Sequence, residues 1–280
     1  MAVDRRLTIP GILAKVPEAC DFVVQAAEAT GLDERSVYYC QMAVDEWCTN
    51  IIEHGYGEQI SGLSSQQAAE QAEYRRIEIS CEGTPNTLTI TIGDDSSRFD
   101  PTQLSDEEPS QLLDEREPGG LGWFFIRRIM DGVRYEFRDG KNFLTMVKHA
   151  SQAQVETARP GVPGITTQIM PHDIWLIKPT GRLDASSGPA LEVALNAQLG
   201  AAHNRIVVDM ADVTYISSGG LKVLVATWRK AQKSAGTVVL SSLLPRVRKV
   251  FEISGFDMLF TITASVDDAI ASINSLSGHS

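Results

Sequence analysis

From Ala14 to Ala29, and again from Glu34 to Glu53, apolar residues recur every three or four positions, the period of an amphipathic helix. In the second stretch Val37, Cys40, Val44, Trp47 and Ile51 form the core stripe, and Glu46, Asn50 and His54 stack at intervals of four on an adjacent face. The segments "RIEISCE", "TLTITIG", "VRYEFR" and "NFLTMVK" then alternate apolar with polar residues, which predicts half-buried strands. Such strands lying on helices imply a two-layer α/β sandwich.

The pattern changes after "SQAQVETARPGVPG", residues 151–164, where small and polar residues lead into two prolines and two glycines without apolar period. This stretch predicts a linker between a first domain of residues 1–150 and a second of residues 165–280. Beyond it "DIWLIKPTG", "RIVVDM", "TVVLSS" and "MLFTI" read as strands. Helices are predicted from Gly188 to Leu199, from Gly219 to Lys233, after Pro245 and from Val266 to Leu276. Alternation of strand and helix implies βαβ crossovers and a largely parallel sheet. Within the first domain, residues 57–74 read as an exposed insertion and the acidic residues 102–118 stand where a lid over a site would be.

Length and charge narrow the class. The 280 residues suffice for two ordinary domains, and no apolar run approaches the length of a membrane span. The first residues lack the apolar core of a signal peptide, so a cytoplasmic location is expected. Cys20, Cys40, Cys48 and Cys81 have no metal-binding spacing and read as reduced thiols. The net charge of −11 is carried by residues 1–150, with 14 Lys and Arg against 26 Asp and Glu, whereas residues 151–280 have 11 against 10. An acidic chain lacks the basic footprint of a nucleic-acid binder, so neither direct nucleic-acid binding nor a membrane role is expected.

Taken alone, the Glu46, Asn50, His54 face reads as the solvated edge of a helix. Two later segments change that reading: "ITIGDDSSRFDP" ends a strand in acidic residues, and "EPGGLGWFFIRRIMD" runs a glycine cluster directly into an apolar helix. In this order the three motifs resemble the nucleotide-binding domain of the GHKL ATPase and kinase superfamily, and within it the bacterial anti-sigma-factor serine kinases. The resemblance covers residues 5–149 and implies ATP and Mg2+ as cofactors. It implies that Glu46 is the general base, drawing a proton from an acceptor hydroxyl or orienting a water, and that Asn50 offers its side-chain oxygen to the metal ion. It further implies that Asp94 accepts from the adenine amine and that Gly119, Gly120 and Gly122 let backbone N–H groups approach phosphate. The chain departs from the family's D-x-G-x-G, because Ser96 and Arg98 stand at the glycine positions. A sensory histidine kinase would share the nucleotide fold but needs a phosphoacceptor His on a dimerising helix, and none of the five histidines lies on one.

In the second domain "RIVVDMADVTYISSGGLKVL", with "PTGRLDASSGPAL" and "LLPRVRKVFEISGFDMLF", resembles the STAS domain of anti-sigma-factor antagonists over residues 165–276. The family turn commonly reads D-S-S-G-L, with the second Ser as phosphoacceptor. Anchored on Gly220 and Leu221, that position is Gly219, which leaves Ser218 and Ser217 as candidate acceptors or as helix caps. The fold class expected is therefore α/β, a GHKL-type sandwich followed by a STAS-type α/β domain. The function the resemblance implies is a partner-switching regulator: a Mg-ATP-dependent serine kinase acting on a STAS domain, its own or another, to control a sigma factor. The alternative is a non-catalytic scaffold with a degenerate ATP site that binds partners through its STAS surface. Implied partners are a STAS-domain protein, a sigma or anti-sigma factor, a PP2C-type phosphatase and a second copy of the chain.

Overall fold

The computed structural model describes residues 3–57, 75–103, 121–151, 164–199, 205–234 and 236–277. The chain divides into two compact units, Met1–Glu156 and Thr157–Ser280. The expected insertion and lid fall mainly on residues 58–74 and 104–120 and the linker on residues 152–163, all outside the described residues.

In the first unit β1 (Val3–Pro10) leads into α1 (Val16–Ala29) and α2 (Glu34–Asn50). Then come β2 (Arg76–Thr84), β3 (Thr87–Asp94), α3 (Leu121–Ile129), β4 (Gly132–Arg138) and β5 (Lys141–His149). The five strands form one antiparallel sheet in the order β1-β2-β3-β5-β4. One face is covered by the helices, because Ile77, Ile79, Leu88, Ile90, Ile92, Leu144 and Met146 point into a core shared with Val23, Cys40, Val44 and Phe125.

Asp33 fixes the start of α2. Its carboxylate accepts from the backbone N–H and hydroxyl of Ser36, an N-cap, and also from the N–H and hydroxyl of Ser151 beyond the last strand. Burial would raise this carboxyl, but those hydrogen bonds together hold it below its ordinary value. The predicted helix over Glu34–Glu53 stops being regular at Asn50, and Ile51–Tyr56 forms a wider π-helical turn. At the other end of the sheet Lys148 donates to the Ile129 carbonyl and to Asp131, which closes the end of α3; it serves the fold.

The second unit begins with β6 (Gly164–Met170) and β7 (Ile174–Leu183), an antiparallel pair, followed by α4 (Gly188–Leu199), β8 (Arg205–Asp209) and β9 (Val213–Ile216). It continues with α5 (Ser218–Lys233), β10 (Thr237–Ser241), α6 (Pro245–Ser254), β11 (Thr261–Thr263) and α7 (Val266–Ser277). The sheet order is β11-β10-β8-β7-β6, with β9 pairing β7, and every contact except β6 with β7 is parallel. "MLFTI" is shorter as a strand than predicted, since Phe256–Met258 forms a 3-10 turn and the strand keeps only Thr261–Thr263.

Candidate functional site

The regular turns of α2 carry Glu46 and Asn50 to the same side, against α3. Glu46 is buried and Asn50 half-buried, but His54, on the π-helical turn, is exposed. Opposite them lies Gly122, in the first turn of α3. A Cβ built there would lie 2.6 Å from Glu46 Oε2 and 3.3 Å from Asn50 Nδ2. A side chain there would have to displace the end of Glu46, so three of the sequence-chosen residues, Glu46, Asn50 and Gly122, meet at one point. Gly119 and Gly120 lie outside the described residues. Trp47 and Trp123, the next residues on each helix, pack with ring centroids 6.2 Å apart and hold the two helices together.

Asp94 ends β3 and is buried. Its Oδ1 accepts from the Ser96 N–H at 2.9 Å, from the Ser96 hydroxyl and from Asn142 Nδ2 at 3.0 Å. Burial pushes the carboxyl up, and the hydrogen bonds from Ser96 and Asn142 pull it back part of the way. The π-helical turn after α2 comes close to this corner: a Cβ on Gly55 would stand 2.7 Å from the Ser96 hydroxyl. Ser96 therefore fills the space that Gly55 leaves. Tyr56, beside it, donates to the Arg76 carbonyl and to Asp95.

The two residues that replace the family's glycines cost no backbone strain. Positive φ among non-glycine residues is confined to Asn86, Asp139, His172, Asp173 and Ser242 among the described residues, so neither Ser96 nor Arg98 adopts it. Ser96 binds Asp94, and Arg98 turns outward, its guanidinium 5.3 Å from the centre of the Phe137 ring.

Asn142 escaped the sequence reading. It stands directly across from Asp94 in the register of β3 and β5. The signal was present: Asn142, Leu144, Met146 and Lys148 are the inward positions of β5, and a polar residue at an inward position needs a buried partner.

In the second unit Ser217 is the N-cap residue of α5 by its backbone, yet its side chain makes no capping hydrogen bond. Ser217 and Ser218 are both buried, at 4% and 6% exposure, so both candidate acceptors lie beneath the surface of the turn. Gly219 is more open, and a Cβ there would meet its nearest neighbours, the Ser217 hydroxyl and the Ala185 backbone, at ordinary contact distances of 3.4–3.6 Å. Gly220 differs, because a Cβ would lie 2.5 Å from the Leu183 carbonyl oxygen. Beside this turn Asp184 accepts from Ser186, Ser187 and Arg182, and the Arg182 guanidinium lies 3.7 Å from the Tyr215 ring centre. Burial alone would raise the Asp184 carboxyl, but these donors and the Arg182 charge hold it below its ordinary value.

Comparison with known proteins accounts for both units. Residues 9–148 match the family model of the histidine kinase-like ATPase domain, and residues 167–269 match that of the STAS domain. BtrV of Bordetella bronchiseptica, which carries the name of an anti-sigma factor antagonist, is 37% identical over 91 residues, 32% of this chain and 78% of that protein. The serine/threonine-protein kinase BtrW of the same organism is 28% identical over 39% of this chain and 68% of its own length. The serine-protein kinase RsbW of Bacillus subtilis is 29% identical over 41% of this chain and 66% of its own length. With the first model spanning half of its residues, the chain belongs to the family of histidine kinase-like ATPase domains, and a STAS domain follows.

Proposed function

We propose that the first unit is an ATP-dependent protein serine kinase and that the chain acts in partner switching, its substrate being a serine on the STAS domain of another protein and its output a sigma factor. The observation that carries this reading is the meeting of Glu46 and Asn50 at Gly122, where a carboxylate and an amide lie 2.6 and 3.3 Å from the position a Cβ would take. Ser96 and Arg98 do not adopt positive φ, so replacing the family's glycines costs the backbone nothing at these two positions, which supports the kinase reading.

The residues present suit the group they would hold. Asn50 would offer its side-chain oxygen to Mg2+, which prefers oxygen ligands, Asp94 would accept from the adenine amine, and backbone N–H groups near Gly122 would receive phosphate. Magnesium, when bound, neutralises charge developing on the transferring phosphoryl group. Glu46 takes the proton from the substrate serine hydroxyl as its oxygen bonds to the γ-phosphorus and the bond to ADP breaks. A substrate on another protein is favoured over the chain's own α5 turn because Gly219 offers no hydroxyl and Ser217 and Ser218 are buried.

The test is mass spectrometry of the full chain and an added STAS-domain protein after incubation with Mg-ATP. Phosphate on the added protein, lost with Glu46→Ala although nucleotide still binds, is the expected outcome. Nucleotide binding without any phosphotransfer would turn the reading to the scaffold.

A further inference from the structure

An open sheet must manage its edges, because an unpaired strand presents a row of N–H and C=O groups to any other chain. Among the described residues the edge strands are defended or very short, with one exception. β1 carries Asp4, Arg5 and Arg6 and ends in Pro10, β4 carries Arg134, Glu136 and Arg138, and β9 and β11 have only four and three residues. The exception is β6, Gly-Ile-Thr-Thr-Gln-Ile-Met from Gly164 to Met170. Its seven residues include no charge and no proline, and its register with β7 runs without a bulge. Most of the strand is exposed, Ile169 at 53%. The direction of its free backbone groups follows from Pro179 on β7. Opposed pairs in an antiparallel ladder alternate between hydrogen-bonded and not, and Ile165 stands opposite Pro179, which has no N–H to give. That pair is therefore a non-bonded one, and Pro179 lies where neither β8 nor β9 pairs with β7. The Gly164 carbonyl accordingly faces β7, where it accepts from the Thr180 hydroxyl at 3.2 Å. Gly164, Thr166, Gln168 and Met170 thus bond to β7, whereas Ile165, Thr167 and Ile169 turn their N–H and C=O groups outward, where no strand lies among the described residues.

We propose that β6 is a self-association edge: two copies of the chain pair their β6 strands antiparallel about a two-fold axis at Thr167 and join their second-unit sheets into one. The occupant is a second copy because the strand is nearly symmetrical about its centre. Paired in this way Thr167 faces its own counterpart, and Ile165 faces Ile169 of the partner subunit at either end, as a two-fold contact requires. Every outward-bonding residue then meets another, so each of these pairs exchanges both of its hydrogen bonds. A slip of one residue would set outward groups against inward ones, and a slip of two would leave one pair unmade, so only this register uses all three. The same three residues share one face of the strand, so the contact also lays Ile against Ile on both sides of the Thr pair and covers Ile169. No charge opposes the approach, since the strand carries none.

The test is sedimentation equilibrium of the full chain without nucleotide, so it stands apart from the kinase reading. The weight-average mass is expected to rise from 30.5 kDa towards twice that value across roughly 1–100 μM, the range of a small interface. Thr167→Lys sets two like charges against each other at the axis and is expected to weaken association on the order of tenfold or more. Thr167 is exposed, so the variant should keep the native melting temperature. Cysteine cross-linking under mild oxidant reads the register. Thr167→Cys places two thiols about 5 Å apart across the axis and is expected to close a disulfide between subunits. Ile165→Cys places them about 13 Å apart and is expected not to. The four native thiols are buried and do not compete. A native chain that stays at the monomer mass overturns the inference. So does a folded Thr167→Lys chain that associates as the native one does, or an Ile165→Cys chain that cross-links as readily as Thr167→Cys.

Discussion

A single methyl group at residue 122 is enough to disturb the candidate centre. The added carbon of Gly122→Ala would meet Glu46 Oε2 at 2.6 Å, so the carboxylate must turn away from its place. Alanine is otherwise the better helix former by about 1 kcal/mol. The expected result is a melting temperature close to native with phosphotransfer reduced roughly 100-fold, the scale of effect that misplacing a catalytic group by an ångström has. Steady-state kinetics beside thermal unfolding checks it. Asp94→Asn is expected to weaken ATP binding on the order of tenfold, because an amide in that place cannot accept from donors at both ends; titration calorimetry reads this. Asp184 gives a pH prediction. Its folded carboxyl lies below the ordinary value of 3.8, so its ionised form contributes stability that is complete above that value and lost as pH falls through it towards the lower folded value. The advantage of the native chain over Asp184→Asn in urea unfolding should therefore be full at pH 6 and shrink below pH ~4. Of the site, Glu46, Asn50, Asp94 and Gly122 were legible because each is a chemically marked residue at a motif spacing. Asn142 was not, since its meaning comes from a cross-strand register that sequence spacing does not reveal.

At the scale of elements, the α5 start makes two adjacent glycines unequal. Gly220→Ala drives a carbon to 2.5 Å from the Leu183 carbonyl and must separate α5 from β7, with an expected loss of about 2 kcal/mol or more. Gly219→Ala meets only ordinary contacts and should be neutral or gain up to about 1 kcal/mol from helix propensity. Equilibrium urea unfolding of the two variants distinguishes them. The helices and most strands could be read from apolar period because one face of each is buried, and β8 and β10, buried on both faces, from continuous apolar runs. The strands that escaped notice lack that asymmetry: β6 is exposed along nearly all its length, β1 is an edge strand with polar residues through its middle, and β9 has only four residues. The end of α2 was misplaced because helical period persists through the π-helical turn, in which Gly55 packs against Ser96.

As a whole, the molecule holds two sheets of different construction, each with its own core, so its unfolding is not expected to follow a single two-state transition. Mg-ATP at 100 times its Kd should stabilise the first unit by about 2.7 kcal/mol and leave the second where it was. Scanning calorimetry should accordingly show one of two transitions moving. The chain also carries its own optical reporter. Of its four tryptophans, Trp47 follows Glu46 and Trp123 follows Gly122, with their rings 6.2 Å apart between α2 and α3, while Trp175 and Trp228 belong to the second unit. Two indoles so close share excited-state energy, so their emission and near-ultraviolet dichroism respond to sub-ångström changes in the spacing of the two helices. Ligand entry at the candidate centre can thus be followed by light alone in the unlabelled protein, with Trp47→Phe as the control that removes the coupled pair.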